Sequence, residues 1–119
     1  MKKFIFLLII NSYHLVAQEK NYFYQIKEFD QNYSQNAIIS RFIHSVGFRY
    51  YWATEGLRDK DLEYKPSESG INSRETLEHI YGLSIMINNG LHNKPIIRSK
   101  SYPNLSFTEL RDKTLKLLK

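Results

Sequence analysis

Three neighbouring blocks of this chain read GFRYYWATEGL (residues 47–57), DLEYKPS (61–67) and TLEHIYGL (76–83). The first block is rich in aromatic residues and reaches Gly56, and glycine often ends a helix because it adopts the left-handed conformation easily. The second block is acidic and contains Pro66, which favours a turn. The third block has the apolar spacing of a helix. The sequence therefore predicts a helix, a polar loop over residues 58–70 and a second helix.

Outward from these blocks, the hydrophobic pattern predicts three amphipathic helices and no internal repeat. Helix one is expected over residues 36–55, because its apolar side chains recur at three- and four-residue steps. These side chains are Ile39, Phe42, Val46, Tyr50, Ala53 and Leu57. The preceding residues 18–35 have no steady period, and we expect them to form an extended lead-in segment along the surface of a single domain over residues 36–119.

Helices two and three carry recognisable start signals. Asn72 or Ser73 should cap helix two, and Glu75 lies three residues after Asn72, which is the spacing of a capping box. Its expected buried face consists of Thr76, Leu77, Ile80, Leu83, Ser84 and Ile87. A loop over residues 91–105 should follow. Helix three should begin at Ser106, where Glu109 completes a second capping box, and it should bury Phe107, Leu110, Thr114, Leu117 and Leu118.

The N-terminus has the pattern of a secretory signal peptide. Lys2 and Lys3 form a basic start, residues 4–10 are uninterruptedly apolar, and Ala17 is a small residue at a suitable cleavage position. The apolar run is shorter than the roughly 20 residues that cross a bilayer. We therefore expect residues 1–17 to be removed from an exported bacterial protein that keeps no stable membrane span.

Composition excludes several kinds of site. The chain of 119 residues has no cysteine, so disulfides, thiolate metal sites and cysteine nucleophiles are ruled out. Its net charge of +5 includes the two lysines of the signal region, and no segment concentrates basic residues as a nucleic-acid interface requires. Neither a Ser-His-Asp set nor a phosphate-binding loop occurs.

The order of these blocks resembles the DinB-like superfamily, whose members are helical bundles in which three histidines hold a divalent metal. The resemblance rests on W-A-x-E-G-L at residues 52–57 and on T-x-x-H-I at 76–80, and it covers the chain from about Tyr33 onward. It implies an all-α, up-down bundle. The resemblance also implies that His79 is a metal ligand early in helix two.

The family's other two ligands form an H-x-x-x-H pair on a last helix, and that pair does not occur in this sequence. The bundle is therefore expected to lack its last helix. Zinc or nickel would bind a complete relative but not this chain. His44 and His92 are the remaining histidines after the signal region, and we expect both to lie at the surface. Glu75 should cap its helix, and Glu78 should be solvated.

Other side chains near these blocks have simple structural interpretations. Tyr50, Tyr51 and Trp52 either pack in the core or form an aromatic wall for a small molecule. Arg49 and Arg74 either bind an anionic group or form salt bridges at the surface or at helix ends.

The resemblance implies that a full-length relative binds a divalent metal and has possible thiol-transferase or hydrolase activity. For this chain we rank an inactive member first. A non-catalytic binding or structural module that self-associates as a homodimer comes second. A metalloenzyme completed by a partner's ligands comes third.

Overall fold

The computed structural model describes residues 22–29, 31–96, 99 and 101–119. Within these residues the chain forms four α-helices and no strand: α1 (Gln35–Ala53), α2 (Asp59–Leu62), α3 (Ser73–Leu91) and α4 (Phe107–Leu118). The all-α fold class is confirmed. The predicted signal peptide over residues 1–17 lies outside the described residues. No helix in the described part of the chain combines the length and the apolar character needed to cross a membrane.

The helix starts agree closely with the sequence signals. The Asn72 side chain accepts a hydrogen bond from Glu75 N at 2.7 Å, and the Glu75 carboxylate accepts one from Asn72 N, also at 2.7 Å. Ser106 and Glu109 form the same reciprocal pair at the start of α4. Both predicted capping boxes are confirmed, because they depend only on residues three positions apart.

The loop between α1 and α3 begins as predicted, because Gly56 has a φ of 70°, in the left-handed region. The sequence did not predict the four-residue helix α2 that follows, which places Leu62 in the core. Arg58 binds Asp61 at 2.8 Å, and this hydrogen-bonded guanidinium lowers the pKa of Asp61 to about 2.

The directions of the helices follow from contacts at their ends. Arg111, early in α4, binds Thr54 just after α1, whereas Leu117 at the other end of α4 shares a groove with His44 of α1 and Ser84 of α3. Leu105, just before α4, accepts a hydrogen bond from the start of α3. The helices α3 and α4 are therefore parallel, and α1 is antiparallel to both. The expected up-down alternation is wrong at this step, because the loop after α3 runs back along the bundle before α4 begins.

The core is small and centres on α4. Its buried apolar side chains are Phe23, Tyr50, Leu62, Leu77, Leu110 and Leu115. Thr114 is also fully buried, and its hydroxyl donates to Leu110 O at 2.8 Å, which satisfies it within the helix. The predicted apolar face of helix three is thus confirmed in its central part. Both α1 and α3 pack against α4.

Helix α1 buries only part of the face that its hydrophobic pattern predicts. Ile39, Phe42 and Val46 are exposed, and Phe42 retains 70% of its accessible surface. Tyr50 is buried as predicted, but the other buried residues of α1 are His44 and Gly47. The prediction failed for the rest of the face because the side of α1 that carries His44 and Gly47 receives two partners from elsewhere in the chain, namely α4 and the segment 22–29.

We call residues 22–29 the N-terminal strap. Phe23 is 1% exposed, and it packs on Gly47, where an added Cβ atom would lie 2.6 Å from Phe23 Cζ and closer still to two other ring carbons. Trp52 Nε1 donates to Tyr24 O at 3.2 Å, and this hydrogen bond holds the strap near the C-terminal end of α1. Most of the strap is exposed as expected for a surface segment, but Phe23 belongs to the core.

Two arginines form hydrogen bonds between segments that are distant in the sequence. Arg111 of α4 donates from Nε to Thr54 Oγ1 at 2.9 Å and from Nη2 to Tyr51 O at 3.2 Å, and it pairs with Glu55. Arg74 of α3 donates to the carbonyls of Tyr102 and Leu105 in the returning loop. These contacts hold α1 and the returning loop against the α3–α4 pair.

Candidate functional site

The predicted metal ligand, His79, lies in the second turn of α3 and is exposed to solvent. The acidic side chains beside it, Glu75 and Glu78, bind other groups. Glu75 caps the helix. Glu78 is buried, pairs with Arg74 Nε at 2.7 Å and accepts a hydrogen bond from Tyr102 N at 3.2 Å. The expectation that Glu78 is solvated is therefore wrong, because the returning loop covers it.

The other two histidines occupy different environments. His92 ends α3 at the surface, as predicted, and its Nδ1 lies 2.8 Å from Asn88 O. His44 is 4% exposed, so its predicted surface position is wrong. Its ring packs against Tyr22, Phe23 and Phe29 of the strap, with centroid distances of 5.5–5.6 Å. Its Nε2 atom makes no hydrogen bond to any described residue.

The residues described do not fit a three-ligand metal centre. Within them, no group of three or more His, Cys, Asp or Glu side chains could hold a metal ion. A catalytic zinc site ordinarily uses three protein ligands and a water, and His79 supplies one imidazole. The assignment of His79 as a ligand stays a prediction that rests on the resemblance alone.

The aromatic cluster on α1 divides between two structural roles. Tyr50 is buried, and burial raises the pKa of its hydroxyl, although the nearby Thr114 hydroxyl and the Arg111 charge oppose part of that increase. Tyr51 packs edge-on against Trp52, with ring centroids 5.3 Å apart, and it also lies under the Arg111 guanidinium. The packing interpretation of this cluster is the one that its contacts support.

A groove lies between α1 and α3, and Tyr22 and the end of α4 also line part of it. Although both helices are described in full, their backbones do not come into close contact, because each packs on α4 instead. The half nearer the end of α1 has a volume of about 490 Å³, and the half nearer its start has about 480 Å³. The first half is lined by Val46, Arg49, Tyr50, Ala53, Thr54, Leu57, Ser73, Thr76, Leu77 and Ile80.

The walls of this groove are apolar and exposed along most of its length. Ile39 and Val46 line it from α1, and Ile80 and Ile87 line it from α3. We call this surface the open groove and define it by Ile39, Val46 and Ala53 of α1 and by Thr76, Ile80 and Ile87 of α3. Exposed apolar surface of this kind is typical of interaction sites.

Comparison of the chain with family models, curated proteins and solved structures finds no match.

Sequence reasoning identified most side chains of the open groove but assigned them to a buried core. It did not identify the buried His44 or the contact of Phe23 with Gly47. A glycine in the middle of an amphipathic helix was the available signal, because it lowers helix stability and often marks a close approach of another group.

The burial of His44 predicts that acidification loosens the N-terminal strap. Burial first, and then the positive charge of Lys27, lowers the pKa of His44 below its ordinary value of 6.5. Tyr22 of the strap also faces this ring, and Lys119 and His92 share the surrounding groove. A lowered pKa means that the strap's contribution to stability is complete above pH 6.5 and is lost as pH falls through the pKa of the folded state.

Fluorescence of Trp52, the only tryptophan, measures this effect because its indole binds the strap at Tyr24. We expect a reversible change in its emission as the pH falls below 6.5. In His44→Leu the change should disappear, whereas His79→Leu, which alters an exposed histidine, should retain it. An unchanged titration in His44→Leu would show that another group controls the strap.

Proposed function

We propose that this chain is a DinB-like helical module that acts without catalysis and accepts a helix in the open groove. The observation that carries the proposal is the pair of apolar, antiparallel helices that pack on α4 but leave a gap between them. A helix placed in this gap would contact α1 and α3 together, in the way that amphipathic helices fill hydrophobic grooves in other proteins.

The apolar area of the groove makes self-association of the isolated chain the expected behaviour. Burial of apolar surface contributes about 25 cal/mol per Å², so covering several hundred Å² contributes on the order of 10 kcal/mol. That is comparable with the whole stability of an ordinary domain. A homodimer is the simplest assembly that covers this surface.

Sedimentation velocity of residues 18–119 tests the proposal. We expect concentration-dependent association, and we expect Ile39→Ser to weaken it by at least about tenfold, because the substitution removes apolar area from the groove wall. Ile71→Ser is the matched control, since Ile71 is similarly exposed, at 56% against 55% for Ile39, but does not line the groove. A well-folded monomer at high concentration, or equal weakening by both substitutions, would contradict the proposal.

The absence of catalysis is tested separately with metal. We expect residues 18–119 to hold well under one equivalent of zinc or nickel after dialysis, and we expect His79→Ala to leave the small bound amount unchanged. A lone imidazole binds divalent metal weakly, because a bundle closes a metal site only when facing helices each project ligands inward. Elemental analysis of both proteins provides the measurement. Stoichiometric metal that is lost in His79→Ala would replace this proposal with a metal-dependent function.

A further inference from the structure

The open groove is lined by basic side chains and by no acidic ones. The lining residues of its two halves include Arg49 and Lys119 but no Asp or Glu, and the other polar side chains there are Ser, Thr, Asn, Tyr and His. A neutral apolar groove would select a partner by shape alone. This groove carries positive charge along an apolar surface, so it also selects a partner by charge.

Arg49 is the cation best placed to bind an acidic partner, because no carboxylate among the described residues pairs with it. Its guanidinium donates only to the hydroxyl and the carbonyl of Ser45 on its own helix. Arg58, Arg74 and Arg111 differ, because each pairs with a carboxylate, and Arg41 donates to Asn32 O and lies over two rings. Arg49 therefore has donors left for an anionic group that enters the groove.

Helices α1 and α3 of a second copy do not supply such a group. The unpaired apolar helix of that copy is α1, which contains two arginines and no acidic residue. The acidic residues of α3 are occupied, Glu75 by the cap and Glu78 by Arg74. A homodimer through α1 therefore covers apolar surface but brings like charges together, so added salt should strengthen it.

We propose that the open groove is built for an amphipathic partner helix whose apolar stripe is flanked by carboxylates. This inference rests on the proposed function, because it names the partner of the same groove. The partner's apolar side chains contact α1 and α3, and a carboxylate beside them pairs with Arg49 in a charge-assisted hydrogen bond. Since α1 and α3 have 19 residues each, the partner helix needs a length of about 28 Å to fill the groove.

Two labelled peptides test the proposal directly. They have the same length and the same Leu/Ala stripe, and their flanking positions carry Glu in one peptide and Lys in the other. Fluorescence anisotropy with residues 18–119 should show the Glu peptide binding at least about tenfold more tightly than the Lys peptide. This preference should shrink between about 10 mM and about 1 M salt, because salt screens exposed charges.

The variant Arg49→Glu should reverse the preference in favour of the Lys peptide. Lys65→Glu makes the same change in net charge at an exposed position outside the groove, and it should retain the preference for Glu. Circular dichroism of each variant establishes that the helices are intact. Equal binding of both peptides that Ile39→Ser abolishes would overturn the charge inference while leaving the helix-binding function in place. Failure of both peptides to bind would overturn the charge inference and the helix-binding function together.

Discussion

Replacing Gly47 with alanine should destabilise the protein by about 2–4 kcal/mol, although alanine is the better helix former by up to about 1 kcal/mol. The added Cβ atom would occupy the position of the Phe23 ring, lying 2.6 Å from Cζ. Phe23 would then have to leave the core, and removing a buried phenylalanine side chain costs about 3–5 kcal/mol. Urea denaturation followed by circular dichroism measures the loss.

A double-mutant cycle isolates this contact from a general intolerance of α1 to substitution. In Phe23→Ala the ring is absent, so adding Gly47→Ala should be neutral or stabilising by up to about 1 kcal/mol through helix propensity. The sign of the Gly47→Ala effect should therefore reverse with the residue at position 23. The matched control is Gly90→Ala in α3, where an added Cβ atom meets nothing within 4 Å. A similar loss from Gly47→Ala in both backgrounds would falsify the role of Phe23.

The features that sequence predicted well are local ones. The starts of α3 and α4 follow from two residues three positions apart, and the turn at Gly56 follows from one residue that tolerates positive φ. The all-α class follows from apolar side chains at a helical period. In each case the information lies within one or two turns of the chain, so no knowledge of distant contacts is required.

The face of α1 that enters the core could not be predicted in the same way. Its apolar stripe includes Phe42 and Val46, yet the buried face carries His44 and Gly47. The hydrophobic pattern indicates which face gains most from burial, but the burial depends on which partner packs there. The strap and α4 cover the second face, and in the described residues no element covers the first. The candidate site is therefore the surface that the sequence assigned to the core.

The burial of Glu78 could not be predicted from the sequence for a similar reason. Arg74 and Glu78 are four residues apart on one helix, a spacing that commonly produces an exposed pair of small energetic value. In the folded chain, the loop at Tyr102 and Leu105 crosses over this pair. Its burial depends on residues at least 24 positions away along the chain.

Removing the Glu78 carboxylate should therefore be much more damaging than its position suggests. In Glu78→Ala, Arg74 would remain partly buried without its counter-ion, and Tyr102 N would lose its acceptor. Breaking one side of a buried ion pair costs about 3–5 kcal/mol, and we expect the lower part of that range because the Arg74 side chain is 23% exposed. Thermal and urea denaturation should both show the loss.

The same substitution should loosen one particular part of the molecule before the rest. Arg74 holds the carbonyls of Tyr102 and Leu105, and these residues lead directly into the cap of α4 at Ser106. Hydrogen exchange in Glu78→Ala should therefore accelerate most strongly at the start of α4 and least in the middle of α1. Asp61→Ala removes the carboxylate of the exposed Arg58 pair and should change global stability little, because such pairs are well solvated. Equal effects of the two substitutions would mean that the returning loop does not bury Glu78, and α4 would then need another anchor to run parallel to α3.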